Sequence, residues 1–334
     1  MTELSICKQK SMLKLCSELS QLLEEDPIGT APLWEKCIII ELPPPWSVKI
    51  EESKHFDASI TNCINKLNQA GHSIRLQCIL PDEYYSKPGM RRVILFTKDP
   101  KFLLATHRLE YLIPEKSLTD LCISILENSE QAKIYAKFKQ DHQSMRDILI
   151  CTHGNRDRCC GSIAVPLYNQ LRSKYSQSNN LMHSIRIWRT SHTGGHRFAP
   201  TVIDLPQGRY WAYVNELTLD SIIAKSEPIK TLIRNYRGCA LLSSEQEQNA
   251  EKELLFDLGW NWIDMKKQIS TIESLSKNDS HIVSAFYLEP QLNSKHGFEF
   301  KIQYTKSVPT MNCMKDGNKG LNKKYRVIKT LKSS

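Results

Sequence analysis

The sequence predicts an α/β protein, and three observations lead there. Short runs such as EKCIIIE, SIRLQCIL, RRVILFT and DILIC have the length and β-branched content of strands. Helical segments, with apolar residues at steps of three and four, alternate with them, as in an α/β layer. The chain is 40% hydrophobic and 24% charged, an ordinary globular balance. No apolar run approaches the ~20 residues a membrane helix needs. Its 334 residues suggest about two domains.

The elements follow in order. Leu13, Cys16, Leu19 and Leu23 give residues 1–25 helical periodicity. No signal-peptide core precedes a small-residue cleavage site there, so a cytoplasmic protein is expected. EKCIIIELPPPW reads as a buried strand stopped by Pro43, Pro44 and Pro45, which cannot donate backbone hydrogen bonds. Residues 57–71 read as a helix ending at Gly71, residues 73–80 and 91–97 as strands, and residues 117–138 as a helix.

The second half repeats the style. DILIC (147–151) is a strand, followed by the polar loop THGNRDRC and a helix with Pro166 in its first turn. SIRIWRT (184–190) alternates as a half-buried strand does. TVIDL and RYWAYV flank Pro206-Gln207-Gly208 and read as a hairpin. A helix at 245–258 ends in LGWNW. This order resembles a thioredoxin-like domain. IVSAFYLEP and FEFKIQY then suggest a hairpin or added strands. The expected division is 1–140, an N-terminal α/β (thioredoxin-like) domain; 141–268, a second thioredoxin-like domain; and 269–334, an extension with a basic tail.

The net charge is +9, and the last twenty residues contribute +6 of it. The simplest expectation for them is a solvated, poorly ordered terminus. A basic tail also attracts acidic partners. The rest of the chain carries no nucleic-acid motif, and no nucleic-acid partner is expected.

The 11 cysteines are scattered, unlike a secreted disulfide framework. Cys7, Cys16, Cys37, Cys63, Cys78, Cys122 and Cys239 mostly sit among apolar neighbours and read as small buried hydrophobes. Cys151, Cys159 and Cys160 differ. Cys151 ends a strand, and the other two close the loop before a helix. Cys160 then lies near a helix N-terminus, where the dipole favours thiolate. Two histidines, His192 and His196, flank Gly194 and Gly195 just past the strand 184–190. If the two strands are parallel neighbours, thiols and imidazoles emerge at one sheet edge, where α/β proteins build their sites.

The spacing C-x8-C, or C-x7-C if Cys159 is used, is long for a zinc knuckle and suits a loop around a larger object. Two Cys and two His also match a [2Fe–2S] centre with imidazoles on one iron. His153 reads as a residue beside the site rather than a ligand. Arg156, Asp157 and Arg197 read as orienting groups or local ion pairs. Trp188 and Trp211 read as core, and Asp204 as a turn residue.

The loop 151-CTHGNRDRCCG-161, with 191-SHTGGHRFAPT-201 and 205-LPQGRYWAYV-214, resembles the sucrase/ferredoxin-like family. The upstream 29-GTAPLWEKCIIIELPPPW-46 does so too, and the resemblance covers roughly residues 29–265. It implies two thioredoxin-like layers, the C-terminal one resembling thioredoxin-like ferredoxins. It also implies a [2Fe–2S] cluster on Cys151, Cys160, His192 and His196, with Cys159 as an alternative ligand. No carboxylate pair suggests glycoside hydrolysis.

The expected function is electron transfer or redox sensing, with no catalytic residues of its own and a reductase or acceptor protein as partner, an acidic one where the basic tail takes part. Two neutral imidazoles in place of thiolates remove negative charge from a cluster. Such centres reach roughly −150 to +300 mV against about −400 mV for all-thiolate plant-type ferredoxins. A potential that falls as pH rises is also expected. A zinc-stabilised scaffold on the same four ligands is the alternative, and a thiol redox enzyme using Cys159 and Cys160 a third.

Overall fold

A computed structural model describes residues 15–99, 104–176, 184–226, 228–275, 279–289, 294–310, 313 and 320–333. Of the helix expected over residues 1–25, residues 1–14, with Cys7 and Leu13, lie outside the described residues; the described part holds α1 (Cys16–Leu22). Then come β1 (Lys36–Glu41), α2 (Ala58–Gln69), β2 (Ile74–Ile79), β3 (Met90–Lys98), β4 (Thr106–Pro114) and α3 (Leu118–Leu126). The expected long helix after β4 breaks at 127–129 and continues as the 3-10 segment Glu130–Phe138. The second half has β5 (Arg146–Cys151), α4 (Arg158–Ser162), α5 (Ala164–Ser176), β6 (Ile185–Thr190), β7 (Val202–Leu205) and β8 (Arg209–Trp211). It closes with α6 (Glu216–Ala224), β9 (Tyr236–Cys239), α7 (Glu245–Leu258) and α8 (Asn261–Asp264).

Nine strands form one sheet in the order β4-β3-β1-β2-β6-β5-β7-β8-β9. β1 pairs parallel with β2 and antiparallel with β3; β5 pairs parallel with β6 and antiparallel with β7. Each half is therefore a β-α-β-β-β unit with its first strand central, the thioredoxin-like arrangement. The halves join through β2 and β6, which pair at Ile79 and Thr190.

The sheet curls, so the halves also face each other. Along β1, Ile38 and Ile40 pack with Leu121 of α3 and Ile60 of α2. Cys37 and Ile39 point the other way and pack with Ile148, Ile150 and Trp188 of the second half. A strand buried on both faces needs the continuous apolar run that β1 has. At this face Glu110 of β4 meets Arg186 of β6 at 2.8 and 3.0 Å, and Arg186 also holds Asp147 of β5 at 2.8 Å. Arg92 and Arg108 complete this buried ion cluster.

β10 (Lys266–Leu275), β11 (Ser280–Glu289), β12 (Ser294–Thr310) and β13 (Gly320–Ser333) form a separate antiparallel sheet. Its Ile269, Val283, Phe300 and Ile302 share a core with Leu254 and Leu255 of α7. The basic tail is thus, over Gly320–Ser333, a strand rather than the loose terminus expected. Lys324 is buried against Glu25 at 3.5 Å and donates to the Asp26 carbonyl at 2.7 Å. Among the described residues no helix is long and apolar enough to cross a membrane.

Candidate metal centre

Strand direction places the thiols and imidazoles at one edge. β5 and β6 run parallel with Cys151 opposite Thr190, so His192 lies two residues beyond that register position. Asp157 caps α4 by accepting from the Cys159 N–H at 2.9 Å, which puts Cys160 in the first turn. Gly154 and Gly161 let the loop close: a Cβ built on Gly161 would stand 2.8 Å from the Gly154 Cα.

Cys151, Cys160 and His192 present ligand atoms within 4.8 Å of one another. Both thiols are fully buried. They titrate as a pair. The hydrogen bond from Cys160 outweighs burial and, helped by His192, holds Cys151 well below the usual thiol range. The same bond and burial push Cys160 well above it. The pair thus loses a first proton readily. The buried Nδ1 of His192 has no hydrogen-bond partner among the described residues. Two buried sulfurs beside an orphaned imidazole nitrogen make a soft donor set that fits a thiophilic metal or an iron–sulfur group.

His196 stands beside this set. Its ring centroid is 5.9 Å from that of His192, and its Nδ1 lies 3.1 Å from Asp157 Oδ2 and 3.3 Å from Cys16 Sγ. Burial lowers its pKa against the opposing pull of Asp157. A carboxylate on one ring nitrogen is the usual support for a histidine that ligates through the other.

The adjacent cysteines point to different places. Cys160 faces Cys151. Cys159 faces Cys16 at 3.4 Å and Cys313 at 3.2 Å. The hydrogen bond from Cys16 outweighs the cost of burial and, with Ser17, brings Cys159 down to about 6. Cys16 is therefore not the isolated hydrophobe its sequence neighbours suggest, whereas Cys37, Cys63, Cys78, Cys122 and Cys239 are buried in the two main cores. Burial pushes the Cys37 thiol up to about 12.

Residues outside the loops hold them. The His192 carbonyl accepts from Arg75 Nη2 at 2.9 Å and Gln77 Nε2 at 3.3 Å, both on β2. Gly194 and Gly195 have φ of +80° and +66°, a region costly for other residues. Arg237 fixes that turn, donating to the Gly194 carbonyl at 3.0 Å and to the Thr30 carbonyl at 2.7 Å. The Gly-Thr-Ala segment thus helps seat the arginine that supports the histidine loop. The Pro-Trp segment latches the cysteine loop: His153 Nε2 donates to the Ser47 carbonyl at 2.8 Å and Asn155 Nδ2 to the Trp46 carbonyl at 2.7 Å. Arg75, Gln77 and Arg237 carried no sequence signal, because their distance along the chain hides the contact.

The other sequence candidates are placed as follows. Arg197 pairs with Glu25 at 2.9 Å. Trp188 and Trp211 are fully buried core residues. Asp204 lies within β7 and is gripped by Arg146 at 2.7 and 2.8 Å, so it is a buried ion-pair residue and not a turn residue.

The chain was compared with known proteins. Two crystal structures of a thioredoxin-like [2Fe-2S] ferredoxin from Aquifex aeolicus, one of them a serine variant, match 26% of this chain and 88–96% of theirs. Identity is 19% and the TM-score 0.23. Altered inheritance of mitochondria protein 32 from Meyerozyma guilliermondii is 25% identical over 191 residues, 49% of this chain. The match spans 61% of that protein's length. The sucrase/ferredoxin-like family profile matches residues 27–238, which hold all four loops and latches described above. The chain belongs to the sucrase/ferredoxin-like family.

Proposed function

We propose that this protein is a one-electron carrier or redox sensor with a [2Fe–2S] cluster on Cys151, Cys160, His192 and His196. The observation that carries the reading is the buried meeting of two thiols, Cys151 and Cys160, with an imidazole whose Nδ1 has no hydrogen-bond partner among the described residues. When bound, such a group accepts and returns one electron.

The chain's own residues have separate tasks. Cys151 and Cys160 supply two buried sulfurs, and their shared proton leaves on loading. Asp157 orients His196 through Nδ1. Arg75, Gln77 and Arg237 fix the loop that carries both histidines. His192 is only partly buried and lines a cleft with Lys49, Arg75, Arg156 and Glu51. A redox partner reaches the site along this cleft, and the excess of basic groups on it favours an acidic one.

Visible absorption with iron and acid-labile sulfide on anaerobically purified protein tests the reading. About two irons and two sulfides per chain are expected. His192→Cys should keep the iron and lower the midpoint potential, because a thiolate adds negative charge. A colourless protein with zinc and no iron after reconstitution overturns the reading in favour of a scaffold.

A further inference from the structure

Three further thiols converge beside the cluster ligands without joining them. Cys16 opens α1, Cys159 lies in α4, and Cys313 precedes β13. Cys159 Sγ lies 3.4 Å from Cys16 Sγ and 3.2 Å from Cys313 Sγ, and the Cys16 N–H donates to Cys313 Sγ at 3.1 Å. Donor atoms of these three and of Asp157 all lie within 4.8 Å of one another. Cys16 and Cys159 are buried and Cys313 is half-buried.

The spacings are those of a ligand set. A disulfide would bring two sulfurs to about 2.05 Å and leave the third alone. Sulfurs about 2.3 Å from a tetrahedral zinc stand about 3.8 Å apart, near what these thiols already adopt. Three soft sulfurs select zinc over magnesium or calcium. The carboxylate is also fixed in place: Asp157 Oδ1 accepts from the Cys159 N–H at 2.9 Å, and Oδ2 faces the Cys313 N–H at 3.4 Å.

We propose that Cys16, Cys159 and Cys313, with a carboxylate oxygen of Asp157, bind a structural zinc ion. Loading replaces thiol protons by one divalent ion. The ion joins the first described helix and Cys313 to the loop that carries Cys151 and Cys160. The site shares no thiol with the proposed cluster and does not depend on that reading. Asp157 touches both, through His196 on one side and the three thiols on the other.

Zinc and iron are measured on the full chain, purified anaerobically, for the wild type, Cys313→Ala, Cys313→His and Cys151→Ala. About one zinc per chain is expected in the wild type. Cys313→Ala should lose it and keep the iron, Cys313→His should retain it by supplying another donor, and Cys151→Ala should keep zinc while losing iron. Cobalt added to zinc-stripped wild type should give thiolate charge-transfer absorption that Cys313→Ala lacks. The proposal is overturned if the wild type holds no zinc, if Cys313→Ala leaves zinc unchanged, or if only Cys151→Ala removes it. Iron lost with Cys313→Ala from a folded protein would overturn it too, making these thiols cluster ligands. A zinc-free wild type lighter by two hydrogens would identify a disulfide instead. Failure of the cluster reading shows separately, as absence of iron in every variant.

Discussion

At the scale of single residues, the site depends on places where a side chain is missing. Gly161 sits in α4, where alanine is the better helix former by about 1 kcal/mol. Its Cβ would nonetheless meet the backbone of Gly154 at 2.8 Å, and backbone cannot rotate away. Gly161→Ala should therefore destabilise by about 1–3 kcal/mol and reduce bound iron. The matching change Gly154→Ala brings its Cβ to 3.2 Å from the Gly161 Cα and should cost less. Thermal midpoints and iron content of the two variants check this. A raised midpoint for Gly161→Ala would show that the loop has slack. Neither glycine lies at positive φ, so the demand comes from the close approach of two backbones and not from turn geometry.

Among elements, β4, β5 and β6 are held together by charge in a place with almost no water. Glu110 is 1% exposed and meets Arg186, Arg92 and Arg108. Burial alone would raise its pKa. The hydrogen bonds and charge of Arg186, then the charges of Arg92 and Arg108, outweigh it and hold the carboxyl well below the usual range. A carboxyl lowered in the folded state stabilises the fold above its unfolded pKa of about 4.3. That contribution is lost as pH falls through the folded value. Glu110→Gln leaves buried arginines short of charge and should cost about 3–5 kcal/mol at neutral pH. Urea unfolding between neutral pH and strongly acid pH should show the difference between wild type and variant shrinking as pH falls. A constant difference would mean that packing, not charge, sets the cost. The sequence does not predict β4 as a strand, and Glu110 meets Arg186 only across a long stretch of chain.

For the molecule as a whole, the last sheet is part of the structure and not an appendage. Val283, Ala285, Phe300 and Ile302 pack in the same core as α7 of the second thioredoxin-like half. Removing residues 266–334 strips that cover and also removes Cys313. The shortened chain should lose cooperative thermal unfolding and expose apolar surface to a dye such as ANS. A sharp, unchanged transition would show that β10–β13 folds separately. Lys323 pairs with Asp279 at 2.9 Å on the exposed side of this sheet. An exposed, solvent-screened pair of this kind stabilises little, so the sheet is held by its apolar face.

Much of this protein was legible in its sequence. β1, β5 and β6 declare themselves because their branched apolar runs are local, as do α5 and α7 through their periodicity. The cysteine and histidine loops were visible as candidates because their residue types and glycines are local as well. Even their shared sheet edge followed from strand direction. The tertiary structure decided what contiguity cannot carry. It separated Cys159 from Cys160, since adjacent residues on a short helix point apart, and brought Cys159 to Cys16 and Cys313 from opposite ends of the chain. It brought Arg75, Gln77 and Arg237 to the histidine loop and drew part of the basic tail into a sheet. Each of these contacts joins residues far apart in the chain, so only the packing of all the elements together sets them.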